Sequence, residues 1–169
     1  MRALKWNMSH AVFVAEIDDD HKEIFDGVAQ LRKALSSGVA AHKVNDLTVR
    51  LAGRIEDHFA HEERLMQAAQ YSLFSWHELS HDAARKRVSG FIQRISTGDV
   101  EAAAALVKYM VAWLHDHTRL ADKMLGAFLR NKRRVGKLVI TVGTKEFDSC
   151  AWRDSRGERL DRLPSRRAL

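Results

Sequence analysis

The sequence predicts an all-α protein: an antiparallel up-down four-helix bundle with an N-terminal arm and a basic C-terminal extension. Three observations carry that prediction. Four stretches of roughly 20–30 residues repeat apolar side chains at spacings of three and four, the mark of amphipathic helices. Short turns join them, so successive helices must run antiparallel. The 169 residues, 46% hydrophobic and 30% charged, suffice for one domain with a real core.

Residues 1–17 hold Trp6, Val12, Phe13, Val14 and Ile17 without helical period, an extended arm packed on the bundle. Asp18-Asp-Asp20 supplies an N-cap and an acidic first turn. The first helix follows with Ile24, Phe25, Val28, Leu31 and Leu35, and Ser36-Ser-Gly38 ends it. The second runs from about Val39 to Ala69, with Val44, Leu47, Leu51, Ile55, Phe59 and Leu65 on one stripe. Gly53 inside it costs up to ~1 kcal/mol relative to Ala, and no feature of the sequence explains it. Gln70–Ser75 reads as a turn, with Ser75 the cap of a third helix over Trp76–Ser96. Thr97-Gly-Asp99 breaks and re-caps the chain. A fourth helix then runs to about Arg130, carrying Leu106, Met110, Trp113, Leu114, Met124, Leu125 and Phe128.

From Asn131 the character changes. Lys137–Val142 has the composition of a short strand, and the remainder is Arg-rich, holds the single proline and is expected to be disordered. The chain therefore divides into a bundle, residues 1–130, and a basic tail, residues 131–169. Charge follows the same division. Residues 1–130 carry 17 Lys+Arg against 17 Asp+Glu, and residues 131–169 carry 11 against 5, so the tail holds the whole net charge of +6. The bundle has no electrostatic footprint for nucleic acid. A protein partner reached through the basic tail has no motif behind it. The single cysteine, Cys150, rules out an internal disulfide and thiolate-rich metal sites. No apolar run approaches the ~20 residues of a transmembrane span, and no segment reads as a secretory signal. The expected location is cytoplasmic.

The chemistry is concentrated in His58-x-x-x-Glu62 and His77-x-x-x-His81. Residues i and i+4 of a helix share a face, so two such pairs on neighbouring helices aim four donors at one another. His21 lies on the first helix, and His117 and Asp122 on the fourth. Five imidazoles and two carboxylates thus come from all four helices. Two divalent metals a few ångströms apart repel strongly; two bridging carboxylates lower that repulsion while neutral imidazoles fill other positions. Such donors suit Fe(II), with Zn, Mn and Cu chemically possible. Seven protein donors cannot complete two octahedra, so at least one position is left for solvent or an external ligand. His10, His42, His61 and His115 fall outside this set and are expected to be structural or solvent-exposed.

These residues match a known pattern. The chain resembles the bacteriohemerythrins, bacterial members of the hemerythrin family of non-heme di-iron oxygen-binding proteins. The resemblance covers about residues 4–130. It rests on Trp6, Glu16-Ile-Asp-x-x-His21, the two i,i+4 pairs, and Trp113-Leu-x-x-His117-x-x-x-x-Asp122. One departure is Ser80, where the family commonly has a glutamate that is not a ligand. The resemblance implies one iron held by His77, His81 and His117 and a second by His21 and His58. Glu62 and Asp122 would bridge them, together with an oxo or hydroxo group. O2 would bind end-on at the iron with two histidines.

Five nitrogens and two carboxylates also argue for reversible binding rather than oxidation, because di-iron oxidases use four Glu and two His and more anionic donors favour O–O cleavage. Leu114, three residues before His117, is expected to shield the open iron, with Phe25, Phe59 and Trp113 completing an apolar wall. The expected function is reversible O2 binding for transport, storage or sensing, without enzymatic activity. The alternative is a hemerythrin-like protein handling peroxide, nitric oxide or iron repair.

Overall fold

The computed structural model describes residues 5–142, and all regular structure among them is helical. The helices are α1 (Ala15–Ser36), α2 (Ala41–Ala69), α3 (Phe74–Ser96), α4 (Val100–Arg119) and α5 (Ala121–Val142). Each of the first four packs on the next and α4 returns to α1, the closed ring of an up-down bundle. Among the described residues no helix is long and apolar enough to cross a membrane.

The expected fourth helix is interrupted. Leu120 (φ −113°, ψ −74°) separates α4 from α5, and its N–H is shared between the carbonyls of Asp116 and His117, each at 3.2 Å. The break matters for the site. On an unbroken helix, residues five apart such as His117 and Asp122 would point about 140° apart. An irregular residue between them lets both face the core.

Other boundaries move for local reasons. Asp99 is the cap expected of it, accepting from the Ala102 N–H at 3.0 Å. Asp18 is not a cap. The helix begins three residues earlier at Ala15, and the Asp18 carboxylate reaches back to accept from Val12 N–H (2.8 Å) and Phe13 N–H (3.0 Å). That contact folds the arm onto the bundle and holds Phe13 at φ +60°, a backbone region non-glycine residues seldom occupy. Ser75 lies inside α3 rather than capping it. Lys137–Val142 is helical, not a strand: α5 continues through residue 130, where the tail was expected to begin. It is tied down beyond that point by Arg133 to Glu16 (2.6 Å) and by Lys132 to the Ala69 carbonyl. The expectation of disorder for residues 143–169 lies outside the described residues.

The core has two parts. One is built from Ile24, Phe25, Leu31, Leu51, Phe59, Leu106, Met110, Leu114 and their neighbours. The other joins Val12, Val14 and Ile17 of the arm and α1 to Met66, Ala69, Tyr71, Leu125 and Leu129. Gly126 makes the second part possible, since a Cβ there would lie 2.5 Å from the Val12 carbonyl oxygen. A polar layer lies between the two. His21 falls between Ile17 and Ile24, Glu62 between Phe59 and Met66, and His117 and Asp122 between Leu114 and Leu125. Full burial of each large apolar side chain is worth ~1.5–3 kcal/mol, so the plugs on either side stabilise the fold enough to carry that layer.

Candidate metal centre

All seven residues singled out in the sequence are buried: His21, His58, Glu62, His77, His81, His117 and Asp122. They form two groups, each with donor atoms within 4.8 Å of one another. The first contains Glu62, His77, His81 and His117, and the second His21, His58, Glu62 and Asp122. Glu62 therefore belongs to both. Asp122 also spans them, with Oδ1 3.2 Å from His77 Nε2 and 3.0 Å from His117 Nε2, and Oδ2 3.1 Å from His21 Nε2. Glu62 Oε2 lies 3.2 Å from His77 Nε2, 3.3 Å from His81 Nε2 and 3.7 Å from His58 Nε2.

This is the geometry of a metal site rather than of a hydrogen-bond network. His117 Nε2 stands 3.1 Å from His77 Nε2 and 3.2 Å from His81 Nε2. Donors spaced like that suit a common centre ~2.1 Å from each nitrogen. Despite these short approaches, both nitrogens of His21 and His58, both oxygens of Glu62 and Asp122, and His77 Nδ1 make no directed hydrogen bond. Orphaned buried polar atoms each cost about 1–3 kcal/mol, and here His21 Nε2, His58 Nε2 and the oxygens of Glu62 and Asp122 cluster and face one another. Two divalent ions would satisfy these inward-facing atoms together, each imidazole giving one nitrogen. The donor set of imidazole and carboxylate fits non-heme iron.

Without metal, protons compensate the buried carboxylates. Burial opposes charge on His77, but Asp122 and Glu62 outweigh it and raise its pKa to about 9. Burial likewise opposes charge on His21, yet the Asp122 carboxylate beside it raises its pKa. For His58 burial wins, and its pKa falls. Burial and Asp122 push the Glu62 carboxyl upward, but His58, His77 and His81 pull it down to about 2. Asp122 is held well below the usual carboxylate range, against burial, by His117, His21 and His77.

A second ring of contacts was not foreseen from the sequence. Glu63 lies 3.0 Å from His81 Nδ1, and the Ser80 hydroxyl 3.0 Å from His117 Nδ1. Asp20 sits 3.7 Å from His58 Nδ1 and 2.7 Å from His61 Nδ1. His61, expected to be a bystander, thus contacts the residue that faces His58. Only adjacency to the predicted donors hinted at these residues, and adjacency on a helix says little about where a side chain points. Of the other histidines, His42 and His115 are exposed. His10 is buried with its ring 4.6 Å from that of Phe25.

The four residues expected to form an apolar wall are placed unevenly. Leu114, Phe25 and Phe59 are fully buried. Phe59 stacks on His81 (4.1 Å between centroids, 10°) and Trp113 on His117 (4.2 Å, 16°), while Phe59 and Trp113 meet edge-on. These two rings therefore cover the three-histidine side. A depression of about 370 Å³, lined by Trp76, Ser80, Tyr109, Trp113, Asp116, His117 and Leu120 among others, opens on that same side. Tyr71 is buried in the second core part with its hydroxyl unpartnered. Burial, with Glu62 and Asp122 adding to it, raises the Tyr71 pKa.

Comparison with known proteins gives consistent matches over the bundle. The family profile described as "Hemerythrin HHE cation binding domain" matches residues 12–129. A hemerythrin of Themiste dyscrita is 32% identical over 117 residues, 69% of this chain and 86% of that protein. A bacteriohemerythrin of Methylococcus capsulatus is 29% identical over 112 residues, 66% of this chain and 85% of that protein. A solved structure, that of a leucine-to-phenylalanine mutant, superposes with a TM-score of 0.71 at 25% identity. It covers 76% of this chain and 98% of its own.

Proposed function

This chain belongs to the hemerythrin family, and from that premise we propose that it binds O2 reversibly at a di-iron centre held by His21, His58, Glu62, His77, His81, His117 and Asp122. The observation that carries the reading is the pair of buried donor groups sharing two carboxylates. Two Fe(II) ions, with a solvent-derived oxo or hydroxo bridge, would supply one electron each to O2 and recover them on its release.

The chain's own residues set the conditions for that chemistry. Glu62 and Asp122 offset the charge of two metals at short separation. His77, His81 and His117 would hold one ion and His21 and His58 the other, so the second position would have one protein donor fewer and room for an external ligand such as O2. Neutral imidazoles outnumber carboxylates five to two, which favours release over O–O cleavage. The apolar layers above and below, Leu114 and Phe59 on one side and Ile17, Met66 and Leu125 on the other, keep out the water that would promote irreversible oxidation. All seven donors lie within residues 1–130, and residues 131–142 continue α5 beyond them.

The test is optical. The reduced, iron-loaded protein should develop a visible charge-transfer band on exposure to O2 and lose it under argon. Conversion straight to a stable diferric form with no reversible colour would overturn the reading in favour of an oxidase-type activity.

A further inference from the structure

The five candidate imidazole ligands differ in what stands behind them. His21 Nδ1 and His77 Nδ1 have no hydrogen-bond partner, and His58 Nδ1 faces Asp20 Oδ2 only at 3.7 Å, beyond hydrogen-bond distance. His117 Nδ1 meets the neutral Ser80 hydroxyl. His81 Nδ1 alone meets a carboxylate at hydrogen-bond distance, Glu63 Oε1 at 3.0 Å.

Glu63 is itself held. Arg85 Nη1 donates to Glu63 Oε1 (2.9 Å) and Nη2 to Oε2 (3.3 Å). The same guanidinium donates to Glu56 through Nε (2.9 Å) and Nη2 (3.0 Å), and to Asp82 through Nη1 (3.0 Å). Its Cζ lies 5.2 Å from the centroid of the Phe59 ring, and Phe59 stacks on His81. Glu63, His81, Phe59 and Arg85 thus close a circuit across α2 and α3. Arg85 stands one helical turn beyond His81, and Glu63 is the neighbour of the bridging Glu62.

This circuit has a chemical consequence. A carboxylate paired with arginine only accepts hydrogen bonds. His81 must therefore carry its proton on Nδ1, which leaves the Nε2 lone pair facing Glu62 and His117, where a metal would sit. The Phe59 stack fixes the ring plane, and Arg85 keeps Glu63 from swinging into solvent. Carboxylates behind metal-bound histidines orient the ring and raise its basicity, and their loss costs metal affinity.

Resting on the di-iron reading above, we propose that Glu63, locked by Arg85, is a positioning residue that presets the tautomer and plane of His81 and so tightens the three-histidine metal position selectively. The contact is a feature of this chain's own α2–α3 seam and not of the seven donors.

The experiment is an anaerobic titration of the metal-free full-length chain with Fe(II) against a chromophoric chelator, for wild type, Glu63→Ala and Glu63→Gln. Wild type should bind two Fe(II) per chain in two resolvable steps. Glu63→Ala should weaken one step about 10–100-fold and leave the other, and the unfolding temperature of the metal-free protein, unchanged. Glu63→Gln keeps an acceptor oxygen but no charge, and should fall between. Wild-type affinity at both steps in both variants would overturn the proposal. So would parallel losses at both steps that track a lower unfolding temperature, which would mark Glu63 as a purely structural contact. Fewer than two Fe(II) per wild-type chain would instead refute the di-iron reading on which the proposal stands.

Discussion

Replacing Leu114 with alanine separates packing from protection of the site. Leu114 is fully buried among Phe25, Phe59, Met110 and their neighbours, and it lies one turn before His117 on the same helical face. Truncating a leucine this enclosed costs about 2.7–5.0 kcal/mol. For a chain of this size that lowers the unfolding temperature by on the order of 10 °C. A hole lined only by hydrocarbon would stay dry, but water enters a cavity that is roomy enough and offers polar partners. This one would border a layer where Glu62, Asp122, His21 and His58 have unpartnered atoms. Leu114→Ala should therefore speed autoxidation of the oxygenated protein at least about tenfold, equivalent to ~1.4 kcal/mol of barrier. Thermal unfolding followed by circular dichroism gives the first quantity, and decay of the visible band under air gives the second. A lower unfolding temperature with an unchanged autoxidation rate would show that Leu114 is core and nothing more.

Three further outcomes are expected. In the metal-free protein His77 is protonated up to about pH 9, so its stabilising charge is complete below its ordinary value of 6.5 and lost as the pH rises through 9. Metal loading must displace that proton; calorimetry in buffers of different ionisation enthalpy should show at least one proton released per chain at pH 7 and less above pH 9, and no release at pH 7 would contradict the assignment. Asp18→Ala removes two charge-assisted bonds that anchor the arm and should cost about 2–4 kcal/mol, with faster proteolysis before residue 15; a loss under ~0.5 kcal/mol would show the arm held by Val12 and Val14 alone. Truncation after Arg130 deletes the half-exposed Arg133–Glu16 pair and the Lys132–Ala69 contact, a loss of about 1–2 kcal/mol, and should leave iron content and O2 binding intact; loss of both would make the extension part of the site's fold.

What the sequence disclosed follows from what periodicity encodes. The pairs His58/Glu62 and His77/His81 are legible because i,i+4 spacing fixes a shared helical face, and the apolar stripes on α2 and α3 place those faces inward. The break at Leu120 is not legible, since no proline or glycine marks it and Leu is a good helix former. The mismatch of His117 and Asp122, five apart yet both needed inside, was its one available sign. Asp18 reads as an N-cap by residue type, but its actual partners are the Val12 and Phe13 N–H groups upstream, a tertiary choice no local rule contains. The strand-like composition of Lys137–Val142 lost to continuation of α5, which finds no strand to pair with among the described residues and is already anchored by Arg130 on the Val12 carbonyl. Nothing in the spacing of Glu63 and Arg85 marks them, because their contacts depend on the α2–α3 seam.

The central claim is that two irons share Glu62 and Asp122 and together take up one O2 that can leave again. It is tested most directly by measuring iron content and O2 uptake on the same sample of reduced protein. Two irons per chain, one O2 bound per two irons, and full recovery of that O2 under argon are the expected results. One zinc per chain, or O2 consumed without being returned, would contradict the account.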